Sequence, residues 1–169
     1  MFRNIITRVL HKLALIVPGG GSLRPWLHRL SGANIGKKVW IGQLVYIDDL
    51  HPENLVIGDN CTVGLRTSIF THFYWGPKRA HNSGKVVIEN DVFVGPHCVI
   101  LPNVRIGEGA VIKAGTVVTR NVPPHAFWGS PGAELLGVAT APLTAEHDYT
   151  EFQRGLRLRP PRRSRQASD

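Results

Sequence analysis

Single aliphatic residues recur along this chain at a fixed interval of six positions, and a small or β-branched residue often follows four positions later. The series comprises Ile35, Ile41, Ile47, Ile57, Val63, Ile69, Ile88, Val94, Ile100, Ile106, Ile112 and Val118. An α-helix would place apolar residues three or four positions apart, and an ordinary strand would alternate by two. The six-residue period therefore predicts short strands and tight corners stacked into a parallel β-helix.

The repeat also predicts how the coils are built. Each inward aliphatic side chain packs against the coils above and below, so stability is close to a sum over neighbouring coils. The hexads, at three per turn, give about four coils of an all-β fold. Glycine follows many aliphatic positions, and we expect it to adopt corner dihedrals that other residues avoid. These glycines are Gly36, Gly42, Gly58, Gly64, Gly95 and Gly107.

The segment before the repeats has a helical pattern. Apolar residues between 2 and 13 fall on one helical face, and residues 23–30 predict a second short helix. Two roles stay open: a cap over the first coil, or a basic amphipathic helix in which residues 1–17 contact a membrane surface. The segment is too short and too charged to span a bilayer, and no small-residue cleavage site follows it. We therefore expect a cytoplasmic protein, with peripheral contact at the inner face of the membrane as an option.

The net charge of +8 comes from the two ends of the chain. Residues 1–30 hold five Lys/Arg and no acidic residue, and residues 151–169 hold six Arg against two acidic residues. A basic balance that belongs to appendages does not indicate a nucleic-acid partner. We expect the Arg-rich tail, 154–165, to be a flexible, solvated end.

Both cysteines, Cys61 and Cys98, fall on the small inward position of a hexad. We expect core residues rather than a disulfide or a nucleophile. Cysteine usage therefore gives no indication of an oxidising compartment.

The period breaks twice. The first break adds a few residues that include Asp48 and Asp49, and the second is a long insertion at 70–87. The predicted organisation is a helical segment at 1–31, a β-helix domain at 32–133 that contains this protruding loop, and a C-terminal extension at 134–169.

The long insertion concentrates aromatic, histidine and cationic residues. Insertions in repeat proteins emerge on one face, which is often the binding face. A site there is therefore the default hypothesis. Within it, Tyr74 and Trp75 are candidate substrate-binding residues, because aromatic side chains stack on a bound ring or pack against a neighbouring protein surface.

Three features together resemble the hexapeptide-repeat acyltransferases: the hexads, the Thr71-His72 pair that opens the insertion, and the closing run from Val117 to Pro124. The resemblance spans about residues 32–133 and is nearest to the sugar O-acetyltransferases, which include the maltose, galactoside and polysaccharide-modifying enzymes. It implies a left-handed β-helix, a homotrimer with sites between subunits, acetyl-CoA as donor and no metal. The implied reaction is direct transfer of an acetyl group to a hydroxyl of a sugar or polysaccharide precursor.

The resemblance also implies roles for individual residues. His72 matches the general base, a task for which a neutral imidazole suits pH 7. Similar enzymes place an acceptor-binding carboxylate in this region, so Asp48 and Asp49 either bind the acceptor or only shape the shorter loop. An oxyanion donor lies near Gly95 and Pro96, although proline has no N–H to give.

For the donor, similar enzymes lay the pantetheine arm of coenzyme A in a groove between subunits. Main-chain groups and small side chains line that groove, and cations meet the phosphates. Gly95, Ala114, Thr119 and Arg120 match such positions, and Lys113 is a weaker candidate.

The residues leave three other functions open. The acceptor could be an amino sugar, which would make the protein an N-acetyltransferase. A γ-class-like zinc carbonic anhydrase uses the same β-helix but needs three converging histidines, for which the spacing of His72, His81 and His97 is not typical. A non-catalytic scaffold would have no need of the insertion that carries His72.

Overall fold

The structure of the chain is a computed structural model that describes residues 2–73, 83–130, 137–140 and 149–158. The chain forms two compact units, 1–130 and 131–169. In the described residues, no helix is both long enough and apolar enough to cross a membrane.

The first unit is built from two helices and a stack of very short parallel strands. The helices are α1 (Phe2–Ile16) and α2 (Leu23–Leu30). The strands are β1 (Asn34–Ile35), β2 (Trp40–Ile41), β3 (Tyr46–Ile47), β4 (Leu55–Ile57), β5 (Thr62–Val63), β6 (Ser68–Ile69), β7 (Val86–Ile88), β8 (Phe93–Val94), β9 (Val99–Ile100), β10 (Arg105–Ile106), β11 (Val111–Ile112), β12 (Val117–Val118) and β13 (Phe127–Trp128).

The strands form three parallel sheets, which are the faces of a β-helix. Face 1 contains β1, β4, β7 and β10, face 2 contains β2, β5, β8, β11 and β13, and face 3 contains β3, β6, β9 and β12. Neighbouring coils pair in register, so that Ile57 lies beside Ile88 and Val63 beside Val94. The all-β prediction of about four coils is confirmed, and β13 adds a strand that the aliphatic period did not indicate.

The inward aliphatic residues form one continuous buried core. Cys61 and Cys98 lie in this core and form no disulfide, as predicted. Burial raises the pKa of both thiols, which makes them poor nucleophiles.

The corners correct the expectation about glycine. The glycines that follow the aliphatic positions do not have positive φ; instead they lie against the next coil, where an added Cβ would stand 2.4 Å from the Pro96 nitrogen at Gly64 and 2.6 Å from the Leu65 nitrogen at Gly42. Left-handed backbone occurs three positions after the aliphatic residue, mostly at non-glycine residues. Glycine is therefore required after the aliphatic position by the close approach of coils, not by dihedral freedom. The left-handed corner residues include Lys38, Asn60, Asp91, His97, Gly109 and Gly115.

The two helices cover the first coil, which confirms the predicted helical cap. The Arg24 Nε donates to the Ile41 carbonyl at 2.8 Å, and the Leu44 N–H donates to the Leu15 carbonyl at 2.8 Å. His11 and His28 are buried in this cap, and their rings stand 5.7 Å apart.

The second unit contains an antiparallel pair of strands, β14 (Gly137–Ala139) and β15 (Leu156–Leu158), with α3 (Tyr149–Gly155) between them in sequence. Arg154 and Arg157 therefore belong to regular elements, contrary to the expected flexible tail. The remainder of that tail lies outside the described residues.

Candidate active site

The first break in the repeat begins with a buried carboxylate. Asp48 follows β3 at the corner after face 3 and is fully shielded from solvent. Its Oδ1 accepts the Leu50 N–H at 3.0 Å, and its Oδ2 accepts the Thr71 N–H at 3.0 Å. The carboxylate thus ties the short excursion to the start of the long insertion.

Asp48 Oδ2 also contacts the Nδ1 of His72, whose side chain is 14% exposed. Because a carboxylate only accepts hydrogen bonds, the Nδ1 of His72 carries a proton, and in the neutral tautomer with this proton the lone pair is on Nε2. The pair is the arrangement that holds an imidazole in one tautomer and stabilises it once it is protonated. Sequence reasoning found both residues but expected Asp48 to bind the acceptor, for which its complete burial leaves no access.

The charge state of Asp48 follows from its surroundings. Burial disfavours the carboxylate, but the Thr71 and Leu50 N–H groups and His72 together outweigh it and hold the pKa of Asp48 below its ordinary value. The residue is therefore ionised at neutral pH, as an orienting partner for an imidazole must be.

Side-chain hydrogen bonds close the base of the insertion. The Asn54 amide nitrogen donates to the Thr71 carbonyl at 3.2 Å and to the Ser83 carbonyl at 2.9 Å. Gly84, at φ +80°, lies so close to Thr71 that an added Cβ would stand 2.0 Å from the Thr71 carbonyl oxygen. The backbone next to His72 is thus fixed from both ends of the insertion.

A second imidazole lies beside the first. The ring of His51 is 5.9 Å from that of His72, its Nδ1 stands 3.2 Å from the Glu53 Oε1, and its carbonyl accepts the Thr71 hydroxyl at 2.7 Å. Sequence reasoning missed His51 as a site residue. The signal was available, because His51 lies in the same break as Asp48.

Gly95 and Ala114 are stacked at a different corner, between face 2 and face 3. An added Cβ on Gly95 would stand 2.6 Å from the Ala114 nitrogen. The Gly95 N–H donates to the Ile112 carbonyl at 2.8 Å, so it is committed to the ladder between coils. Pro96 has no N–H, so neither of these two residues has a backbone N–H available for the oxyanion donor expected around them.

The other predicted donor-binding residues lie near the last coil. Thr119 and Arg120 follow β12 at the same corner as His72, but two coils further along, about 10 Å at the usual strand spacing. The Arg120 guanidinium stacks on the Trp128 ring at 5.3 Å, and Lys113 Nζ donates to the Ser130 carbonyl at 3.3 Å. Trp128 gives Arg120 a fixed position, which the sequence alone did not indicate.

The remaining predicted residues divide into two groups. Asp49 lies in the short excursion, 3.8 Å from the Arg8 guanidinium. Tyr74, Trp75 and His81 lie outside the described residues. Across the described ranges, no three His, Cys, Asp or Glu side chains are close enough to share a metal ion.

Family models match the repeats. The bacterial transferase hexapeptide (six repeats) matches residues 85–120, and the hexapeptide repeat of succinyl-transferase matches residues 54–71. These matches confirm the resemblance to the hexapeptide-repeat transferases. The β-helix is therefore left-handed, as that resemblance implies.

Among individual proteins, YvoF of Bacillus subtilis (strain 168), a candidate acetyltransferase, is 37% identical over 108 residues, which cover 63% of this chain and 62% of YvoF. The bifunctional protein GlmU of Polaromonas naphthalenivorans (strain CJ2) is 31% identical over 73% of this chain and 28% of its own length. The chain therefore spans less than two thirds of the length of either relative. The hexapeptide-repeat acetyltransferase VCA0836 of Vibrio cholerae O1 biovar eltor, solved with acetyl coenzyme A, superposes with a TM-score of 0.51 and 21% identity, over 73% of this chain and 79% of that one. That last likeness is one of fold.

Proposed function

We propose that the chain is an acetyl-CoA-dependent O-acetyltransferase acting on a hydroxyl of a sugar or polysaccharide precursor. The observation that carries the proposal is the pairing of the buried Asp48 carboxylate with His72, at the head of the insertion in a hexapeptide β-helix. The similarity to YvoF, itself named as a candidate acetyltransferase, supports the reaction class.

His72 acts as the general base in one direct transfer. Its Nε2 takes the proton of the acceptor hydroxyl while the oxygen bonds to the thioester carbonyl carbon of acetyl-CoA. The tetrahedral intermediate then collapses with cleavage of the C–S bond, and the imidazolium returns the proton to the sulfur of coenzyme A. Asp48 stabilises the imidazolium between these two steps, and a base of this kind contributes about 10²–10⁴-fold.

The donor occupies the groove lined by Gly95 and Ala114, and Arg120, Thr119 and Lys113 face its nucleotide phosphates. In support, the Arg120 guanidinium is held in place by the Trp128 ring. Gly95 and Ala114 lie at a different corner of the β-helix from His72, whereas Thr119 and Arg120 share the corner of His72. A second subunit completes a site that combines the two corners.

A homotrimer supplies this second subunit. Its contact surface is face 2, whose outward positions are largely apolar and exposed, up to 76% at Phe127. The apolar outward residues of face 2 are Trp40, Phe93, Val111 and Phe127. An apolar ladder along a whole sheet is typical of a covered surface.

A substitution on face 2 tests this assembly. Phe93→Asp is expected to dissociate the trimer, as measured by analytical sedimentation, and Asn34→Asp on face 1 is the matched control. If the Phe93→Asp protein remains trimeric, face 2 is not the contact surface.

The direct test of the proposal replaces the base. His72→Ala is expected to lower kcat at least about 10²-fold, while the Kd for acetyl-CoA measured by calorimetry stays within about twofold. His125→Asn is the matched control, because His125 is an exposed corner residue at φ +57°, a conformation that asparagine tolerates. Unchanged turnover in His72→Ala would remove this residue from the mechanism. An amide product in place of an ester would identify an N-acetyltransferase.

A further inference from the structure

We infer that the acceptor binds in a cavity between the cap helices and the short excursion 48–54, and that this cavity takes an uncharged sugar ring. The inference rests on the proposed function, since it concerns the substrate of the same transfer. The cavity extends the proposed site to residues at the end of α2, which precede the repeats.

The cavity has a volume of about 520 Å³ and is formed within the first unit. Leu30, Ser31 and Gly32 line it from the end of α2, and Asp49, His51 and Glu53 line it from the excursion. The volume lies in the range of small-molecule sites, about 300–1,000 Å³, and is ample for a monosaccharide.

The cavity is adjacent to the reacting group. His51 lines it, and the ring of His51 is 5.9 Å from the ring of His72. Asp49, another lining residue, directly follows the carboxylate that holds His72. A ring seated against His51 therefore lies one side chain away from the base.

The lining chemistry selects the ligand. Asp49 and Glu53 offer carboxylate oxygens that accept hydrogen bonds from sugar hydroxyls, and the side chain of Leu30 offers an apolar surface for C–H groups. Arg8 stands 3.8 Å from Asp49, and His51 stands 3.2 Å from Glu53, so these carboxylates already have cationic or polar neighbours. An anionic ligand such as a uronic acid would bring like charge against both carboxylates, whereas a neutral ring would not.

The test is titration of the full-length ¹⁵N-labelled protein with methyl glycosides of glucose, galactose and mannose, and with the corresponding uronides. We expect at least one neutral glycoside to shift the amide signals of Ser31, Gly32 and Leu50 saturably, with a Kd at least about tenfold lower than that of its uronide. Asp49→Asn and Glu53→Gln should each weaken binding of that glycoside by about tenfold or more, the usual effect of losing a hydrogen bond to a charged group. Glu108→Gln, at an exposed corner outside the cavity, is the matched control and should bind as the wild type does.

The inference is overturned if none of these glycosides shifts the three amides, if uronides bind as tightly as neutral rings, or if both variants bind like the control. Binding in this experiment requires no acetyl-CoA, which separates the two proposals. Saturable glycoside binding without any acetyl transfer would reject the proposed reaction and keep the cavity. Acetyl transfer to glycosides that is insensitive to both variants would reject the cavity and keep the reaction.

Discussion

The coils and the excursions of this chain are held together by different interactions. In the coils, backbone N–H groups pair with the next coil, and an aliphatic residue in every hexad fills the interior. In the excursions, side chains satisfy the backbone, as Asp48 does for Leu50 and Thr71 and as Asn54 does for Thr71 and Ser83. The coils are a repetitive scaffold, and the groups suited to chemistry lie where the scaffold is interrupted.

Neutralising one carboxylate in each region is the most direct test of this difference. Asp48→Asn keeps the shape of the side chain but removes the charge that stabilises the His72 imidazolium and allows the wrong tautomer. We expect kcat to fall about 10²-fold or more, a loss of about 2.7 kcal/mol in transition-state stabilisation. Steady-state kinetics with a thiol-release assay measures it.

Asp59→Asn is the coil counterpart, because Asp59 Oδ1 also accepts a backbone N–H, that of Lys37 at 2.6 Å, but from an exposed corner. Its kcat should stay within about twofold of the wild type, as expected of a surface substitution. If the two variants lose the same activity, Asp48 has no special relation to His72.

The same contrast explains what the sequence could predict. The aliphatic period determined the coils because an inward position is set by local spacing alone. It could not pair Asp48 with His72, since their contact depends on which coils carry the breaks and how the corners stack. It also assigned the wrong physical reason to glycine, because the approach of one coil to the next at Gly64 is a three-dimensional fact. The cavity could not be predicted from the sequence either, because it depends on where α2 lies relative to the first break.

The cap and the coils should also differ in their response to pH. The interior of the coils is aliphatic, whereas the cap buries His11 and His28, and neither ring nitrogen of His28 has a hydrogen-bond partner among the described residues. Burial, with His11 and Arg24 nearby, lowers the pKa of His28 from 6.5 to about 3, and burial also lowers that of His11 against the opposing charges of Asp49 and Asp48.

The unfolded chain binds these protons near pH 6.5, and the folded chain does not. The contribution of the two histidines to the free energy of unfolding is therefore at its full value above pH 6.5 and is lost as the pH drops toward 3. The loss from His28 is about 1.4 kcal/mol per pH unit at most, or roughly 2–3 kcal/mol at pH 4.5. Urea denaturation at several pH values measures it. His28→Leu should flatten the profile between pH 6.5 and 4.5, and a variant that retains the full slope would assign the effect to other groups.

The two kinds of corner glycine offer a smaller test within the coils. Gly64→Ala forces a methyl group against the Pro96 nitrogen and should lower the free energy of unfolding by about 2 kcal/mol or more. Gly115→Ala, at φ +71° with open space around it, should lower it by about 1 kcal/mol, since left-handed strain is partly offset by reduced entropy of the unfolded chain. Denaturant titration of both variants measures these losses. A larger loss in Gly115→Ala than in Gly64→Ala would indicate that position 64 requires glycine for its dihedral freedom and not for the close approach of coils.

The smallest expected effect concerns the outer surface of the cap. One face of α1 packs on the protein through His11 and Ala14, whereas Ile6 and Val9 point to solvent, and Lys12 beside them is exposed. An apolar surface with cations next to it fits the boundary of an anionic bilayer, so we expect the chain to bind phosphatidylserine-containing vesicles.

Ile6→Ser should weaken this binding severalfold, about 1 kcal/mol for a partly inserted side chain, without changing the melting temperature. Val117→Ser, an equally exposed position on face 3, is the matched control in a vesicle co-sedimentation assay. Deleting residues 1–17 is a poorer test, because it also removes His11 and Ala14 from the cap. Equal vesicle binding by wild type and Ile6→Ser would leave α1 with the role of a cap alone.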